Sequence, residues 1–254
     1  MYQVNLEGKV ALVTGGSRGL GRAMVLGLAR AGADVVIASR KLAGCEEVAA
    51  EVSALGRQAL AVAAHAGQME SLDTLLEATY QRFGRLDILI NNAGPNQVTA
   101  GLSELSPELF QKVFEVNTKG PWYLASRAAP RMATHGGGSI INVISVGGIK
   151  PSAGGGFYAA SKAALQALTK VMAAEWAHMG IRVNALAPGS FHSDLFDNSA
   201  KVLPGFMEGS IAASLQKRVA ETDEILGSVM YLASDMSSYT TGSTLVADGG
   251  YLVL

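Results

Sequence analysis

The amino-acid sequence predicts an α/β fold in which one doubly wound parallel sheet is covered by helices on both faces. The first observation is a series of short apolar runs that alternate with longer stretches in which apolar residues recur at helical spacing. Because these runs are apolar on both faces, we expect each strand to be buried on both sides. The predicted strands lie at Val10–Thr14, Val35–Ser39, Leu86–Ile90, Ser139–Ile144, Arg182–Ala187 and Thr244–Ala247.

The second observation is a glycine at the end of three of the helical stretches. Gly32, Gly84 and Gly180 each precede the next predicted strand by a few residues. Glycine accepts a positive φ without a Cβ clash and therefore commonly ends a helix. The repeating unit is strand, helix, strand, and no linker interrupts it. We therefore expect residues 1–254 to form a single domain.

The composition argues against several classes of function. Twenty Lys and Arg against twenty-one Asp and Glu give a formal net charge of −1, so there is no global positive field to attract nucleic acid or anionic lipid. The longest uninterrupted apolar run, Ala59–Ala64, is far shorter than the ~20 residues of a membrane-spanning helix. The single cysteine, Cys45, forms no internal disulfide, and the N-terminal residues lack a signal-peptide pattern. We expect a cytoplasmic protein without nucleic-acid or membrane partners.

One stretch, Ser190–Leu215, fits the alternation poorly. A long connection in a compact domain is often a lid or a binding loop, so we predict a substrate lid at about residues 190–215. An ordinary surface helix with irregular ends is the alternative. The stretch carries large apolar residues without a regular period, namely Phe191, Phe196, Leu203, Pro204, Phe206, Met207 and Ile211.

A glycine-rich turn directly follows the first predicted strand. Here the carboxyl end of a strand meets the amino end of a helix, where free backbone N–H groups and the helix dipole favour an anion. The spacing G-x-x-x-G-x-G differs from the dinucleotide fingerprint G-x-G-x-x-G, and a turn that only packs the helix on the strand is the alternative. The predicted phosphate contacts are Gly15, Ser17, Arg18, Gly19, Leu20 and Gly21.

The end of the second predicted strand distinguishes the two dinucleotides. An acidic residue at this position binds the ribose 2′-hydroxyl of NAD, whereas an arginine suits the additional phosphate of NADP. The chain has Ser39, Arg40 and Lys41 here, and Arg18 can approach from the glycine loop. These residues predict NADP(H) over NAD(H), because guanidinium groups make charge-assisted hydrogen bonds with a phosphate. A solvated Arg-Lys pair is the alternative.

A candidate proton-transfer pair opens a long apolar helix. Tyr158 and Lys162 are spaced i and i+4, which puts them on one helix face. A phenol has a pKa of ~10, and a neighbouring ammonium group lowers it by favouring the phenolate. Lys162 is therefore expected to activate Tyr158. The spacing is common by chance, so an amphipathic tyrosine with a surface lysine is the alternative.

Two further polar residues are expected near this pair. Ser145 ends a predicted strand at the carboxyl edge of the sheet, where its hydroxyl can hold a substrate carbonyl. Asn117 lies in a helix that Ser106 and Pro107 are expected to begin. Because Pro121 has no N–H, the carbonyl of Asn117 loses its helical donor and can anchor a water leading to Lys162. A simple proline kink explains Pro121 equally well.

Together these motifs resemble the short-chain dehydrogenase/reductase family, in its compact branch of about 250 residues, over essentially the whole chain. The resemblance implies a Rossmann-like sheet with strand order 3-2-1-4-5-6-7. It also implies a tetramer packed through the helices around Asn117 and Tyr158 and through the C-terminus. The residues it implies are the tetrad Asn117, Ser145, Tyr158 and Lys162, the cofactor contacts Asn91, Ala93 and Gly94, the turn Pro188–Gly189 on the nicotinamide side, and Ser193 at a carboxamide-binding position.

One position departs from the family pattern. His65 stands where the family usually has an aspartate that contacts adenine. Either His65 supplies a different hydrogen bond or the backbone alone makes this contact. A metal role is not expected, because the four histidines, His65, His135, His178 and His192, show no ligand spacing.

The expected activity is that of an NADP(H)-dependent oxidoreductase, a carbonyl reductase that converts a ketone into a secondary alcohol or catalyses the reverse reaction. Tyr158 acts as general acid and base, and the aromatic residues of the predicted lid favour a 3-oxoacyl or other carbon-rich substrate. A non-catalytic NADP(H)-binding redox sensor is an alternative that has no use for Ser145, Tyr158 and Lys162. A sugar alcohol dehydrogenase is a second alternative. A sugar-nucleotide epimerase or dehydratase is a third, although these enzymes are generally longer chains.

Overall fold

The computed structural model describes residues 4–95, 101–193, 196–197, 200–201 and 204–253. Within these residues a single seven-stranded sheet has the order β3-β2-β1-β4-β5-β6-β7, and every pair of neighbouring strands is parallel. The predicted fold class and the strand order implied by the resemblance are confirmed. The strands are β1 Val10–Thr14, β2 Asp34–Ser39, β3 Ala59–Ala63, β4 Ile88–Asn91, β5 Gly138–Val143, β6 Ile181–Pro188 and β7 Thr244–Ala247.

Helices alternate with these strands along the chain. Ser106 caps α4, since its Oγ accepts a hydrogen bond from the Leu109 N–H at 3.2 Å, and Pro107 is the first residue of that helix, as predicted. Five residues in π-helical conformation, Glu115–Lys119, join α4 to α5. The described helices are α1 Gly19–Arg30, α2 Leu42–Ala54, α3 Met69–Phe83, α4 Pro107–Phe114, α5 Gly120–Ala133, α6 Gly156–Trp176, α7 Phe206–Ala213 and α8 Leu226–Ala233.

The three predicted helix stops are confirmed. Gly84 ends α3 with φ of 73°, and Gly180 ends the short 3₁₀ turn after α6 with φ of 72°. Gly32 follows the C-cap of α1 and has φ of 104°. In each case the positive φ turns the chain from a helix toward the next strand.

Two apolar cores lie on opposite faces of the sheet. Ala11 and Val13 of β1 pack into one core together with residues of α1, α2 and α8. Val10 and Leu12 alternate with them and pack into the other core together with residues of α3, α5 and α6. Burial on both faces explains why the central strands are continuous apolar runs in the sequence.

Buried amides connect the central strands to α6. Asn91, at the end of β4, donates from Nδ2 to Asn142 Oδ1 on β5 at 2.9 Å. Asn142 in turn donates to Thr169 Oγ1 on α6 at the same distance. All three side chains are buried, so each hydrogen bond satisfies polar groups that water cannot reach. The network holds α6 against the carboxyl half of the sheet.

The predicted lid lies only partly within the described residues. Residues 194–195, 198–199 and 202–203, which include Leu203, are outside them. Phe191 is buried in the core beside α1 and forms a β-bridge with Ala220, so it contributes to packing rather than to a lid. Farther along, the rings of Phe196 and Phe206 are in contact, with centroids 5.1 Å apart.

In the described part of the chain, no helix has both the length and the apolar character needed to cross a membrane.

Candidate active site

The glycine loop between β1 and α1 leaves the amino end of α1 open to a ligand. Arg18 precedes the helix in an extended conformation, its side chain does not cap the helix, and the first turn carries no acidic residue. A Cβ on Gly21 would lie 2.1 Å from the carbonyl oxygen of Gly15, so only glycine permits this tight turn. The N–H groups of the first turn can therefore receive a phosphate.

The glycine loop is held to the end of β4 by hydrogen bonds that the sequence analysis did not anticipate. Asn92 donates from Nδ2 to the carbonyl oxygens of Thr14 at 2.9 Å and Gly15 at 3.2 Å. Thr14 Oγ1 accepts from the backbone N–H groups of Asn92 and Ala93 at 3.0 and 3.1 Å. The predicted contact residues Ala93 and Gly94 thus lie beside the loop. The only sequence signal for Asn92 was its place between the predicted contacts Asn91 and Ala93.

A second basic region lies where β2 ends and α2 begins. Arg40 and Lys41 are exposed and form no ion pair with a carboxylate of the described residues. Lys41 precedes α2, whose first turn has neither a side-chain cap nor an acidic residue. The Ser39 hydroxyl, by contrast, bonds within its own segment, to the Lys41 carbonyl and the Cys45 thiol. Positive side chains and open N–H groups can both bind an anion here.

Tyr158 and Ser145 meet at the carboxyl edge of the sheet. Ser145 follows β5 and accepts a hydrogen bond from the Gly147 N–H at 3.1 Å. A methyl group on Gly147 would lie 3.5 Å from Ser145 Oγ and 3.9 Å from Cε1 of the Tyr158 ring, so the two side chains are neighbours. Burial raises the pKa of Tyr158 above its ordinary value, and the hydrogen bond from Ser145 lowers it by less. The phenol is therefore protonated at neutral pH, which is the form that a general acid requires.

Lys162 lies one turn along α6 from Tyr158. Its Nζ donates to the carbonyl oxygen of Val143 at 2.8 Å and lies 5.9 Å from the centroid of the Tyr158 ring. Burial lowers the pKa of Lys162 to about 8. The expectation that Lys162 lowers the pKa of Tyr158 is not met in this structure, because the burial of the phenol outweighs every other influence on it.

Asn117 lies in the π-helical turn between α4 and α5. The turn accommodates Pro121 by an additional residue in the helix rather than by a simple kink. The Asn117 side chain is buried, and it donates from Nδ2 to Ser161 Oγ at 3.0 Å. Single-turn π-helices often occur at functional sites, because they turn a side chain or a carbonyl out of the regular helical register.

Gly94, in the segment after β4, lies close to the side chains of Asn117 and Lys162. A methyl group on Gly94 would lie 2.9 Å from Asn117 Oδ1 and 3.2 Å from Lys162 Nζ. The motif after β4 therefore contacts two of the four predicted tetrad residues. The other two, Ser145 and Tyr158, both lie within 4 Å of the position of a methyl group on Gly147, on the same edge of the sheet.

The segment after β6 borders the glycine loop. A methyl group on Gly19 would lie 3.4 Å from Ser193 Cβ, so Ser193 faces the start of α1. Pro188 ends β6, and Gly189 donates its N–H to the Ala247 carbonyl oxygen at 2.9 Å. Of the predicted nicotinamide-side residues, Ser193 therefore lies beside the predicted phosphate loop, and Gly189 is held to β7.

Comparison with known proteins agrees with this arrangement. The sequence model of the family described as "short chain dehydrogenase" matches residues 9–203. The chain is 41% identical over 250 residues to a short chain dehydrogenase/reductase of Aspergillus oryzae, with 97% of this chain and 95% of that protein covered. The chain belongs to the short-chain dehydrogenase/reductase family. It is therefore an oxidoreductase.

Other members of the short-chain dehydrogenase/reductase family illustrate how widely its substrates vary. A 3-oxoacyl-[acyl-carrier-protein] reductase of Synechocystis is 35% identical over 251 residues, with 98% of each chain covered. The L-sorbose reductase of Gluconobacter frateurii, whose crystal structure contains NADPH and L-sorbose, has a TM-score of 0.95 at 30% identity, and both chains are covered completely. Members of this family bind a nicotinamide cofactor, and the glycine loop of this chain fits such a group, since the first turn of α1 has neither a side-chain cap nor an acidic residue.

His65 has a defined hydrogen-bond direction in this short-chain dehydrogenase/reductase. The backbone N–H of Gly67 donates to His65 Nδ1 at 3.1 Å. In the neutral ring the proton therefore lies on Nε2, so the ring offers a donor where an aspartate would offer only an acceptor. The side chain is partly exposed next to the end of β3.

Two other predicted cofactor contacts have side chains that are already engaged. Asn91 donates to Pro121 and Asn142 and is buried, so only its backbone remains for a ligand. The Ser39 hydroxyl bonds within its own segment, as described above.

Among the described residues, no group of three or more His, Cys, Asp or Glu side chains is arranged to hold a metal ion.

Proposed function

We propose that this protein is an NADP(H)-dependent carbonyl reductase that converts a ketone into a secondary alcohol and catalyses the reverse oxidation. The observation that carries the proposal is the closeness of Ser145 Oγ and the Tyr158 ring, which both lie within 4 Å of the position of a methyl group on Gly147, at the sheet edge that also carries the open amino end of α1. When bound, the nicotinamide supplies or accepts the hydride. A protonated phenol beside a second hydroxyl is suited to the accompanying proton transfer.

Each tetrad residue has one role in this proposal. Ser145 receives an N–H from Gly147, and its own hydrogen can turn from Tyr158 to the carbonyl oxygen of the substrate, which it then orients. Tyr158 donates a proton to that oxygen. Lys162 binds the nicotinamide ribose through N–H groups that the Val143 carbonyl does not use. The backbone carbonyl of Asn117 holds a water through which the proton of Tyr158 is replaced.

The preference for NADP(H) over NAD(H) rests on charge. Arg40 and Lys41 lie beside the uncapped first turn of α2, and no carboxylate of the described residues pairs with either side chain. A ribose 2′-phosphate at this position would meet positive side chains and backbone N–H groups together. A free ribose would leave both cations without an anionic partner.

The substrate proposal is a 3-oxoacyl group or another carbon-rich ketone. The contact between Phe196 and Phe206 supports it, because apolar rings favour an apolar substrate wall. The similarity to the 3-oxoacyl reductase of Synechocystis is consistent with this choice. A sugar or polyol substrate is the second candidate, favoured by the similarity to L-sorbose reductase.

A homotetramer is part of the proposal. Phe110 is 45% exposed, stacks on Phe114 and meets Phe157 of α6 edge to face, on the helices next to Asn117 and Tyr158. Val246 of the edge strand β7 and Val253 near the C-terminus are also exposed. Two such faces suit a symmetric assembly of four copies.

The cytoplasmic location expected from the sequence remains a prediction.

The experiment that tests this function measures NADPH consumption with 3-oxoacyl thioesters, cyclic ketones, diketones and sugars. Turnover of the first three classes is expected. If only sugars or polyols react, the substrate proposal is wrong and the sugar reductase is right. Tight NADPH binding without turnover on the whole panel would support the redox sensor instead.

A further inference from the structure

Ser161, the residue before Lys162 on α6, connects the two ends of the candidate tetrad. It is fully buried, and its Oγ donates to the backbone carbonyl oxygen of Tyr158 at 2.7 Å. The same Oγ accepts from Asn117 Nδ2 at 3.0 Å. The tetrad residues Tyr158 and Asn117 are thus bound to one hydroxyl, which belongs to neither the glycine loop nor the predicted catalytic set.

The single hydrogen of Ser161 determines how the Asn117 amide is oriented. A serine hydroxyl has one hydrogen to donate, and a backbone carbonyl can only accept. Since that hydrogen goes to Tyr158, the Asn117 group facing Ser161 must be the NH₂ group. The Pro95 carbonyl oxygen, 3.4 Å from Asn117 Nδ2, favours the same orientation. The hydrogen-bond network therefore assigns the amide nitrogen and oxygen.

This orientation directs an unused acceptor toward Lys162. Asn117 Oδ1 is buried and has no hydrogen-bond partner among the described residues. It lies 2.9 Å from the position of a methyl group on Gly94, and Lys162 Nζ lies 3.2 Å from that same position. An ammonium group has three N–H donors, of which the Val143 carbonyl takes one.

A second contact anchors Ser161 itself. Thr118, the neighbour of Asn117 in the π-helical turn, donates from Oγ1 to the Ser161 backbone carbonyl at 2.9 Å. The turn and the start of α6 are therefore joined by two hydrogen bonds that run through one residue. This arrangement limits the rotation of the Asn117 side chain in the buried space between the two helices.

We propose that Ser161 is a positioning residue, which holds the Asn117 amide so that Oδ1 accepts a hydrogen bond from the Lys162 ammonium group, directly or through one water. The side-chain oxygen of Asn117 then keeps Lys162 in place in addition to any role of the Asn117 backbone carbonyl. This inference rests on the proposed function, because the position of Lys162 matters for turnover only if the protein transfers a proton through Tyr158.

The first test compares Ser161→Ala with Ser139→Ala. Ser139 is a matched control, since it is also buried and donates from Oγ to a backbone carbonyl, that of Leu232, but lies on β5 away from the tetrad. We expect Ser161→Ala to lower kcat by about five- to tenfold, the effect of losing one hydrogen bond, and to leave KM for NADPH within about twofold. The solvent deuterium isotope effect on kcat should increase in Ser161→Ala and stay unchanged in Ser139→Ala.

A conservative variant separates positioning from packing. Threonine in a helix can donate to the carbonyl three residues earlier, so Ser161→Thr should restore most of kcat. If the additional methyl group prevents folding, Ser161→Cys, which has nearly the size of serine and only a weak donor, should fall between serine and alanine. An unchanged kcat in Ser161→Ala, or equal losses in Ser161→Ala and Ser139→Ala, would overturn the proposal.

A crystal structure of the protein without cofactor supplies a test that does not depend on activity. We expect Asn117 Oδ1 within hydrogen-bond distance of Lys162 Nζ or of a water bound to it, and a rotated Asn117 side chain in Ser161→Ala. An Asn117 side chain that is unchanged in the variant contradicts the inference. An inactive wild-type protein that shows the expected Asn117 geometry would refute the proposed function and leave the geometric part of the inference intact.

Discussion

Lys162 on α6 donates from Nζ to the carbonyl oxygen of Val143, the last residue of β5, at 2.8 Å. The lysine is 3% exposed, so its amine is attached to the sheet in a site that water hardly reaches. Burial lowers the pKa of Lys162 to about 8 because the charged form loses its hydration. Folding is therefore coupled to the protonation of this single residue.

The first prediction concerns stability and pH. Because the folded-state pKa is lowered, the stability contribution of Lys162 is fully present above its unfolded-state pKa of ~10.4 and is lost as the pH falls through about 8. Between pH 7 and pH 10, wild type should gain about 2 kcal/mol of unfolding free energy relative to Lys162→Met. Tyr158 is present in both proteins, so the ionisation of its phenol in the unfolded state near pH 10 cancels in the comparison.

The measurement is urea denaturation of wild type and Lys162→Met at pH 7 and pH 10. Lys170→Met is the control, since Lys170 lies on the same helix and is exposed. It should follow wild type at both pH values. Parallel pH profiles of wild type and Lys162→Met would contradict the lowered pKa.

The second prediction concerns the phenol of Tyr158. Tyr158→Phe keeps the ring and removes only the phenolic hydroxyl. We expect kcat to fall by about 10²–10⁴, the usual contribution of general acid–base catalysis, while Kd for NADPH stays within a few-fold. Steady-state kinetics and fluorescence titration of NADPH measure the two quantities. Tyr231→Phe is the control, because that hydroxyl bonds to Thr240 outside the candidate site. Retained turnover in Tyr158→Phe would remove the proposed general acid.

The third prediction concerns the choice of dinucleotide. Arg40→Asp replaces an exposed cation at the end of β2 with the carboxylate that suits a ribose hydroxyl. We expect kcat/KM for NADPH to fall by at least about tenfold relative to NADH, since one charge-assisted hydrogen bond is lost and a repulsion is added. Lys170→Asp makes the same charge change far from the site and should leave the ratio unchanged. An NADPH preference that is the same in Arg40→Asp and wild type would count against the NADP(H) assignment.

Much of the fold could be predicted from the sequence, because the central strands are buried on both faces. The apolar pattern did not predict the strand β3, Ala59–Ala63, and only the family resemblance implied a strand there. It is alanine-rich and lies at the sheet edge, where its residues are partly exposed. This strand has a single β-branched residue, Val62, whereas several such residues make the inner strands recognisable.

The four residues of the candidate tetrad could be proposed from the sequence, but their environment could not. The Asn117–Ser161 hydrogen bond joins residues 44 positions apart, and no local pattern predicts such a contact. The sequence also did not predict that the pKa of Tyr158 is raised. An i, i+4 spacing indicates a neighbouring cation, whereas desolvation depends on everything that packs around the phenol.

The fourth prediction concerns the proposed oligomer. Phe110 lies beside a surface groove of about 450 Å³, which is lined by Pro107, Phe110, Gln111, Phe114, Glu115 and Lys119. Phe110→Asp places a charge in this apolar face and should convert a tetramer into dimers, as measured by sedimentation velocity, because a buried unpaired charge disfavours the interface. Leu55→Asp changes an equally exposed leucine at the end of α2 and should leave the tetramer intact. A monomeric wild-type protein would refute the oligomer proposal outright.

The fifth prediction concerns the closeness of Gly94 to the tetrad. Gly94→Ala adds a methyl group 2.9 Å from Asn117 Oδ1 and 3.2 Å from Lys162 Nζ, so at least one of these side chains must move. We expect kcat to fall by at least about tenfold, since small displacements at a reacting centre are costly. Gly227→Ala is the control: nothing lies within 4 Å of its added Cβ, and the residue is in α8. It should keep full activity and raise stability by up to about 1 kcal/mol, as alanine favours the helix. A fully active Gly94→Ala would mean that the positions of Asn117 and Lys162 do not limit turnover.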